Sequence, residues 1–156
     1  MKADTSEKLV SAVHLLHRAG QCADELFAIN MGPIDLTPRQ FAVLRAISGS
    51  EDPSQSALVD KTGIDRSTMA DIIRRLVAKS LVQRRRTRRD ARMYAVRLTD
   101  KGKSALETAE PAVRSTDERI LAAIPTAQRD AFLRALTRIV ESIGAGAAEH
   151  TDKTDK

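Results

Sequence analysis

The sequence predicts a mainly α-helical fold of about six helices with one small two-stranded β-wing, in a single domain of 156 residues. Three observations predict it. Apolar residues recur at helical spacing at both ends of the chain. Between those ends, a short helix, a tight turn at Gly63 and a second amphipathic helix follow closely on one another. An alternating, arginine-loaded stretch comes straight after and reads as a hairpin.

The composition bounds the class. Apolar residues make up 42% and charged residues 30%, ordinary for a globular chain. Aromatics are only 3% and there is no Trp, which argues against a nucleic-acid platform built on stacked bases. The net charge of +5 suits a polyanionic partner, and the excess is concentrated: seven arginines lie between Arg84 and Arg97, against one acid, Asp90. The single cysteine excludes an intramolecular disulfide and fits a reducing compartment. The start, MKADTSEKLV, lacks the apolar core of a signal peptide, and no apolar run reaches membrane-spanning length. The expected location is the cytoplasm, with no membrane partner.

Taken in order, the first helix is expected from a cap at Thr5 or Ser6 to about Asn30. Its seam of Leu9, Val13, Leu16, Gly20, Ala23 and Phe27 alternates by four and three, as in packed helices. At 1.5 Å per residue such a helix is about 37 Å long, more than one small chain covers easily. Part of the seam therefore faces a second subunit, and Gly20 lets it come close. Thr37-Pro38-Arg39-Gln40 reads as a capping box with proline at the first helical position, ahead of Phe41, Leu44 and Ile47. Ser54 caps a short third helix, Gln55 to Thr62, with Leu58 inward. Gly63 supplies a positive φ, Ile64 plugs the gap and Asp65 caps the fourth helix. On that helix Met69, Ile72, Ile73 and Leu76 form the apolar stripe.

Val82–Arg86 and Tyr94–Leu98 alternate as paired strands, with Tyr94, Val96 and Leu98 on one face and a cationic tip at Thr87–Arg92. Thr99 caps a long fifth helix carrying Leu106, Ala109, Val113, Ile120 and Ile124, with Pro111 as a place to bend. After Pro125-Thr126 the last helix carries Phe132, Leu133, Leu136, Ile139, Val140 and Ile143, and Gly144 ends it. Residues 147–156 carry no apolar periodicity and read as a disordered tail. Residues 37–99 thus form a reading lobe, and 5–36 with 100–146 supply dimerisation helices, paired economically across a two-fold axis.

At these residues the chain resembles the MarR family of winged helix-turn-helix regulators, from about Leu9 to Ile143. The most specific part is the wing, where the family pattern Asp-x-Arg followed by Leu-Thr stands as Asp90-Ala91-Arg92 and Leu98-Thr99. The runs DLTPRQFAVL (Asp35 to Leu44) and TGIDRSTMADIIRRLVAKSLV (Thr62 to Val82) are also typical. Val59 departs from the pattern, since many such units have a small residue there. The resemblance implies a homodimer joined by its first, fifth and sixth helices. It also implies binding to a palindromic double-stranded operator, and release by a small molecule or an oxidant.

The residues themselves assign roles. Arg66, Ser67 and Thr68, in the first turn of the fourth helix, are nearest the floor of a DNA major groove; arginine bonds a guanine edge, whereas Ser and Thr are less selective. Asp71 either accepts from cytosine or orients a neighbouring arginine, and orientation is favoured because an unpaired carboxylate near phosphates is costly. Arg74 and Arg75 touch phosphate or brace the wing. Arg84, Arg86, Arg88 and Arg89 supply phosphate contacts, Arg92 enters a narrow minor groove, and Asp90 braces the wing. The competing reading of the helix face is a solvated, salt-bridged surface.

The effector is less defined. His14, His17, Arg18 and Gln21 form a polar band beside the seam of the first helix. It either lines an anion-accepting pocket or bonds across the dimer interface or to solvent. The runs HLLHRAGQCADELF and DLTPRQFAVL look similar to family members that answer to aromatic carboxylates or their coenzyme A thioesters. Two alternatives use the same fold. A metal sensor would need more than His14, His17 and Cys22, which lack a compact four-ligand spacing, so no metal or cofactor is expected. For an oxidant sensor, Cys22 sits further along the helix than the cysteine of peroxide-sensing relatives, and it reads as a small packed residue. No phosphate loop or nucleophile elbow is present, so an enzyme is not expected.

Overall fold

The structure, a computed structural model, describes residues 11–87 and 94–151, with only the backbone for 144–151. Five helices open on a side chain that accepts a first-turn N–H. Helix α1 (Ala12–Met31) opens on Ser11, α2 (Pro38–Ser48) on Thr37, α3 (Gln55–Thr62) on Ser54, α4 (Arg66–Ala78) on Asp65 and α5 (Asp100–Ala122) on Thr99. Thr37 and Gln40 complete the capping box in both directions. Thr5 and Ser6 lie outside the described residues. The described helix starts later because Ser11 is itself a hydroxyl ahead of the helical run, its Oγ accepting from the His14 N–H at 3.4 Å.

Helix α2 is the hub. It buries Gln40, Phe41, Val43, Leu44, Ala46 and Ile47, and against it lie Leu58 of α3, the α4 stripe of Met69, Ile72, Ile73 and Leu76, and Leu106 and Ala109 of α5. Phe27 from α1 meets Phe41 edge-on, with ring centroids 6.4 Å apart. The α1–α5 contact also holds a polar link: Asn30 Nδ2 donates to Thr116 Oγ1 at 2.8 Å, and that hydroxyl donates to the Ala112 carbonyl at 2.9 Å. Thr116 is therefore buried without leaving a polar atom unmatched.

The hairpin pairs β1 (Val82–Arg86) antiparallel with β2 (Tyr94–Leu98), Val82 opposite Leu98 and Arg86 opposite Tyr94. The expected shared face of Tyr94, Val96 and Leu98 is only partly inward. Val96 is buried and Leu98 half-buried, but Tyr94 is 50% exposed, while Ala95 of the opposite face is buried. The reason is a third segment: Ser54 forms a bridge with Ala95, and the Val96 N–H donates to the Pro53 carbonyl at 2.9 Å, so the outer edge of β2 is covered there.

The two terminal helices leave much of their apolar surface uncovered. On α1 only Phe27 and Met31 are buried; Val13 is 78% exposed, and Leu15, Leu16 and Ile29 are exposed with it. A 3-10 turn (Thr126–Gln128) leads into α6 (Arg129–Thr151), where Leu133, Ile139, Val140 and Ile143 are exposed. Helix α6 does not stop at Gly144, where the sequence reading ends it, but runs through residues 147–151, which that reading makes a disordered tail. Glycine costs a helix interior about 1 kcal/mol, and Ala145, Ala147 and Ala148, the strongest helix formers, surround the two glycines. Helix α5 continues across Pro111.

Candidate nucleic-acid interface

The turn between α3 and α4 is built by three residues. Gly63 takes φ +69°, a conformation open to glycine at no steric cost. Ile64 is half-buried in the angle. Asp65 then caps α4 through one oxygen, Oδ1, which accepts from the Thr68 N–H at 2.9 Å and from the Ser67 hydroxyl at 2.8 Å. Donation from the Thr68 hydroxyl and N–H, then from the Ser67 hydroxyl, holds this carboxyl far below its ordinary pKa. It is therefore an ionised, accept-only group at neutral pH.

With its apolar stripe inward, α4 turns Arg66, Ser67, Arg74 and Arg75 to solvent, with Thr68 and Asp71 half-buried beside them. Asp71 accepts from Arg74 at close range and from Arg75 Nε at 2.7 Å, and these donors, Arg74 first, keep its carboxyl below its ordinary range. The acid thus acts on its own helix. It draws two guanidinium groups together, with one donor on each of its oxygens.

Beside α4 the hairpin exposes Arg84, Arg85 and Arg86. Arg86 lies over the Tyr94 ring, 5.9 Å from its centroid. The base of the hairpin is fastened by Arg97, which donates through Nε and a terminal nitrogen to the two oxygens of Asp52. That pairing raises the Arg97 pKa further. Asp52 sits at φ +49°, which an Asp tolerates better than most residues. Arg88, Arg89, Asp90 and Arg92 of the tip lie outside the described residues.

The junction of α4 with α5 is closed by hydrogen bonds. Thr99 Oγ1 accepts from the Gly102 N–H at 3.0 Å and donates to the Ser80 carbonyl at 2.6 Å, while the Thr99 N–H donates to the Leu81 carbonyl at 3.1 Å. Lys101 Nζ donates to the Lys79 carbonyl at 3.0 Å. The start of one helix thus satisfies carbonyls left open where the other ends. The fit needs a glycine: a Cβ on residue 102 would lie 2.0 Å from the Leu81 oxygen.

The polar band of α1 is exposed along His14, His17, Arg18 and Gln21, with Arg18 donating to Gln21 Oε1 at 3.0 Å. A cavity of about 790 Å³ lies elsewhere, between the end of α2, the base of the hairpin and the start of α5; Ser50, Arg85, Arg97, Lys103 and Glu107 are among its lining, and none of the four band residues is. Cys22 is exposed rather than packed, since among the described residues no other element covers that face of α1. No cluster of three metal-ligating side chains occurs among the described residues.

Comparison with known proteins fits this arrangement. A family model described as MarR family matches residues 34–93, from just before α2 to the hairpin tip. The HTH-type transcriptional repressor NicR of Pseudomonas putida is 31% identical over 129 residues, spanning 83% of this chain and 82% of that protein. The chain belongs to the MarR family. Among solved MarR-like structures, the transcriptional repressor CouR bound to a 23-mer DNA duplex superposes with a TM-score of 0.79 at 28% identity, covering 90% of this chain and 99% of that one. BpsR of Bordetella bronchiseptica, whose DNA binding is regulated by 6-hydroxynicotinic acid, gives 0.78 at 28% identity, covering 89% and 97%.

Within this MarR fold, the expected site residues fall into three groups. Ser67, Thr68, Asp71, Arg74 and Arg75 share the outward face of α4, Arg66 is exposed at its first position, and Arg84 and Arg86 lie on the adjoining hairpin. The tip residues are outside the described chain, and the α1 band is remote from both. The contacts of Asp52, Arg97 and Gly102 escaped the sequence reading, which gave Asp65 its cap but not its bond to Ser67. For that bond the spacing Asp65-x-Ser67-Thr68 is the local signal, since it sets two hydroxyls within reach of one carboxylate. The Asp52–Arg97 pair and the Gly102 approach are contacts between distant segments, with no local signal.

Proposed function

We propose that this MarR-family chain is a homodimeric, sequence-specific repressor of transcription. It grips a palindromic double-stranded operator and is released by a small organic acid, an aromatic carboxylate or its coenzyme A thioester. It acts by binding, without turnover. The observation that carries the reading is the donor-rich outer face of α4 set beside an arginine hairpin, both anchored to the arm α5. In this reading residues 37–99 are the DNA lobe, while 5–36 and 100–146 clasp a second copy.

Arg66 meets a guanine edge in the major groove with Ser67 and Thr68 alongside, while Arg74 and Arg75, aligned by Asp71, meet phosphate. Arg84, Arg86, Arg88 and Arg89 follow the backbone, and Arg92, with Asp90 bracing the wing, enters a narrow minor groove. The uncovered apolar seams of α1 and α6 favour a two-fold dimer that sets the reading helices about 34 Å apart, one turn of duplex. His14, His17, Arg18 and Gln21, on an arm helix, then supply the cationic and polar lining for the acid. An effector that favours another spacing needs only a differential affinity of about 1–3 kcal/mol.

The test is a fluorescence-anisotropy titration with duplex DNA of the chain's own upstream region, competed by random duplex and by RNA, then repeated with 6-hydroxynicotinate and related acids. Preference for the upstream duplex, lost on adding an acid, is expected. Equal affinity for all three nucleic acids would remove the sequence-specific reading.

A further inference from the structure

We propose that Ser67 reads an amino group: it faces the duplex as a hydrogen-bond acceptor and selects adenine or cytosine, against guanine or thymine, on one strand at one position of each half-site. The proposal rests on α4 being the helix that enters the major groove. A serine hydroxyl is ordinarily ambivalent, with one proton to give and two lone pairs to receive, and so is a poor discriminator of bases. Here its one proton has a fixed destination. Ser67 Oγ lies 2.8 Å from Asp65 Oδ1, and a carboxylate can only accept. The carboxylate cannot easily turn away, because the same oxygen caps the helix through the Thr68 N–H at 2.9 Å. What the exposed hydroxyl has left to offer is lone pairs.

The major-groove edges sort cleanly against such a group. Adenine presents the N6 amino group and cytosine the N4 amino group, whereas guanine and thymine present O6, N7 or O4, all acceptors. Opposite Ser67, an amino base completes a hydrogen bond. A keto base sets lone pair against lone pair, with a carboxylate charge behind. Every base pair carries one amino group in that groove, so the discrimination is between strands: A·T and C·G are accepted at the position, and T·A and G·C are rejected. Asp65 is a positioning residue here, acting through Ser67. Arg66, next along the helix, keeps the opposite sense, a donor for guanine.

A binding-site selection from a pool of duplexes with a randomised centre tests this, using the full chain and its S67A and D65G variants, followed by anisotropy titrations of the selected duplexes. The wild type is expected to enrich one position per half-site that holds A or C alike, bound about tenfold more tightly than the G and T versions, within the range for a single mismatch. S67A is expected to bring the four bases within about twofold at that position and leave the others unchanged; Ser67 is exposed, so the fold survives. D65G keeps a residue tolerated at a cap and frees the serine proton, so G and T are expected to join A and C. An enriched site with no amino-only position, or one that persists in S67A, overturns the proposal and leaves α4 as the reader. No enrichment by the wild type would instead overturn the reading of the chain as a sequence-specific DNA binder.

Discussion

Replacing Gly102 with alanine sets two effects of opposite sign against each other. In a free helix the change is favourable by about 1 kcal/mol, since glycine is the poorer helix former. In this chain the added Cβ would lie 2.0 Å from the Leu81 carbonyl oxygen and 2.9 Å from its carbon. An ordinary carbon–oxygen approach is roughly 3.3 Å, so the two backbones must part by about 1.3 Å. Such overpacking costs about 1–3 kcal/mol, and the parting also breaks the Thr99 N–H bond to the Leu81 oxygen, worth about 1 kcal/mol. The clash wins by about 1–3 kcal/mol. With a urea slope of about 2 kcal/mol per molar, the unfolding midpoint of G102A falls by about 1 M. Urea titration followed by circular dichroism measures it. A midpoint that stays put or rises would mean the helix start and the Leu81 carbonyl are not held together as described.

Three further outcomes are expected. Asp65 has its folded pKa below the ordinary 3.8, so its capping charge stabilises the fold above that pH and ceases to as pH falls toward the folded value. The gap in urea midpoint between wild type and Asp65→Ala should therefore be constant from pH 7 to 5 and shrink below pH 3.8; a gap independent of pH would show that the charge does not act. Arg92→Ala should weaken operator binding with little change in unfolding, and an unaltered gel-shift affinity would remove Arg92 from the minor groove. Leu136→Asp, at a half-buried position of α6, should separate the dimer; light scattering that still reports two chains would contradict the clasp.

Much of the segment from α2 to α4 was legible because its signals are local. Thr37 with Gln40, Ser54, Gly63 and Asp65 each act within four residues of themselves, so caps and turn follow from spacing alone. The α4 stripe is equally local, since 3.6 residues per turn assigns Met69, Ile72, Ile73 and Leu76 to one side whatever they meet. The end of α6 was misread for the opposite reason. A glycine is a stop signal only when the chain turns left-handed there, and the alanines around Gly144 and Gly146 leave no such need.

What no window of sequence contains is the meeting of distant segments. Asp52 and Arg97 are 45 residues apart, Asn30 and Thr116 are 86 apart, and both pairs exist because α2 holds their elements side by side. Gly102 reads as an ordinary residue of a helix start until the Leu81 carbonyl is placed against it. Ala95 is inside where Ser54 pairs along the edge of β2, and the pattern of one strand cannot announce a neighbour. Short-range steric and hydrogen-bonding preferences wrote the elements and the turn into the residues. The approach of those elements through a shared core determined which side chains hold the hairpin, α4 and α5 in one piece.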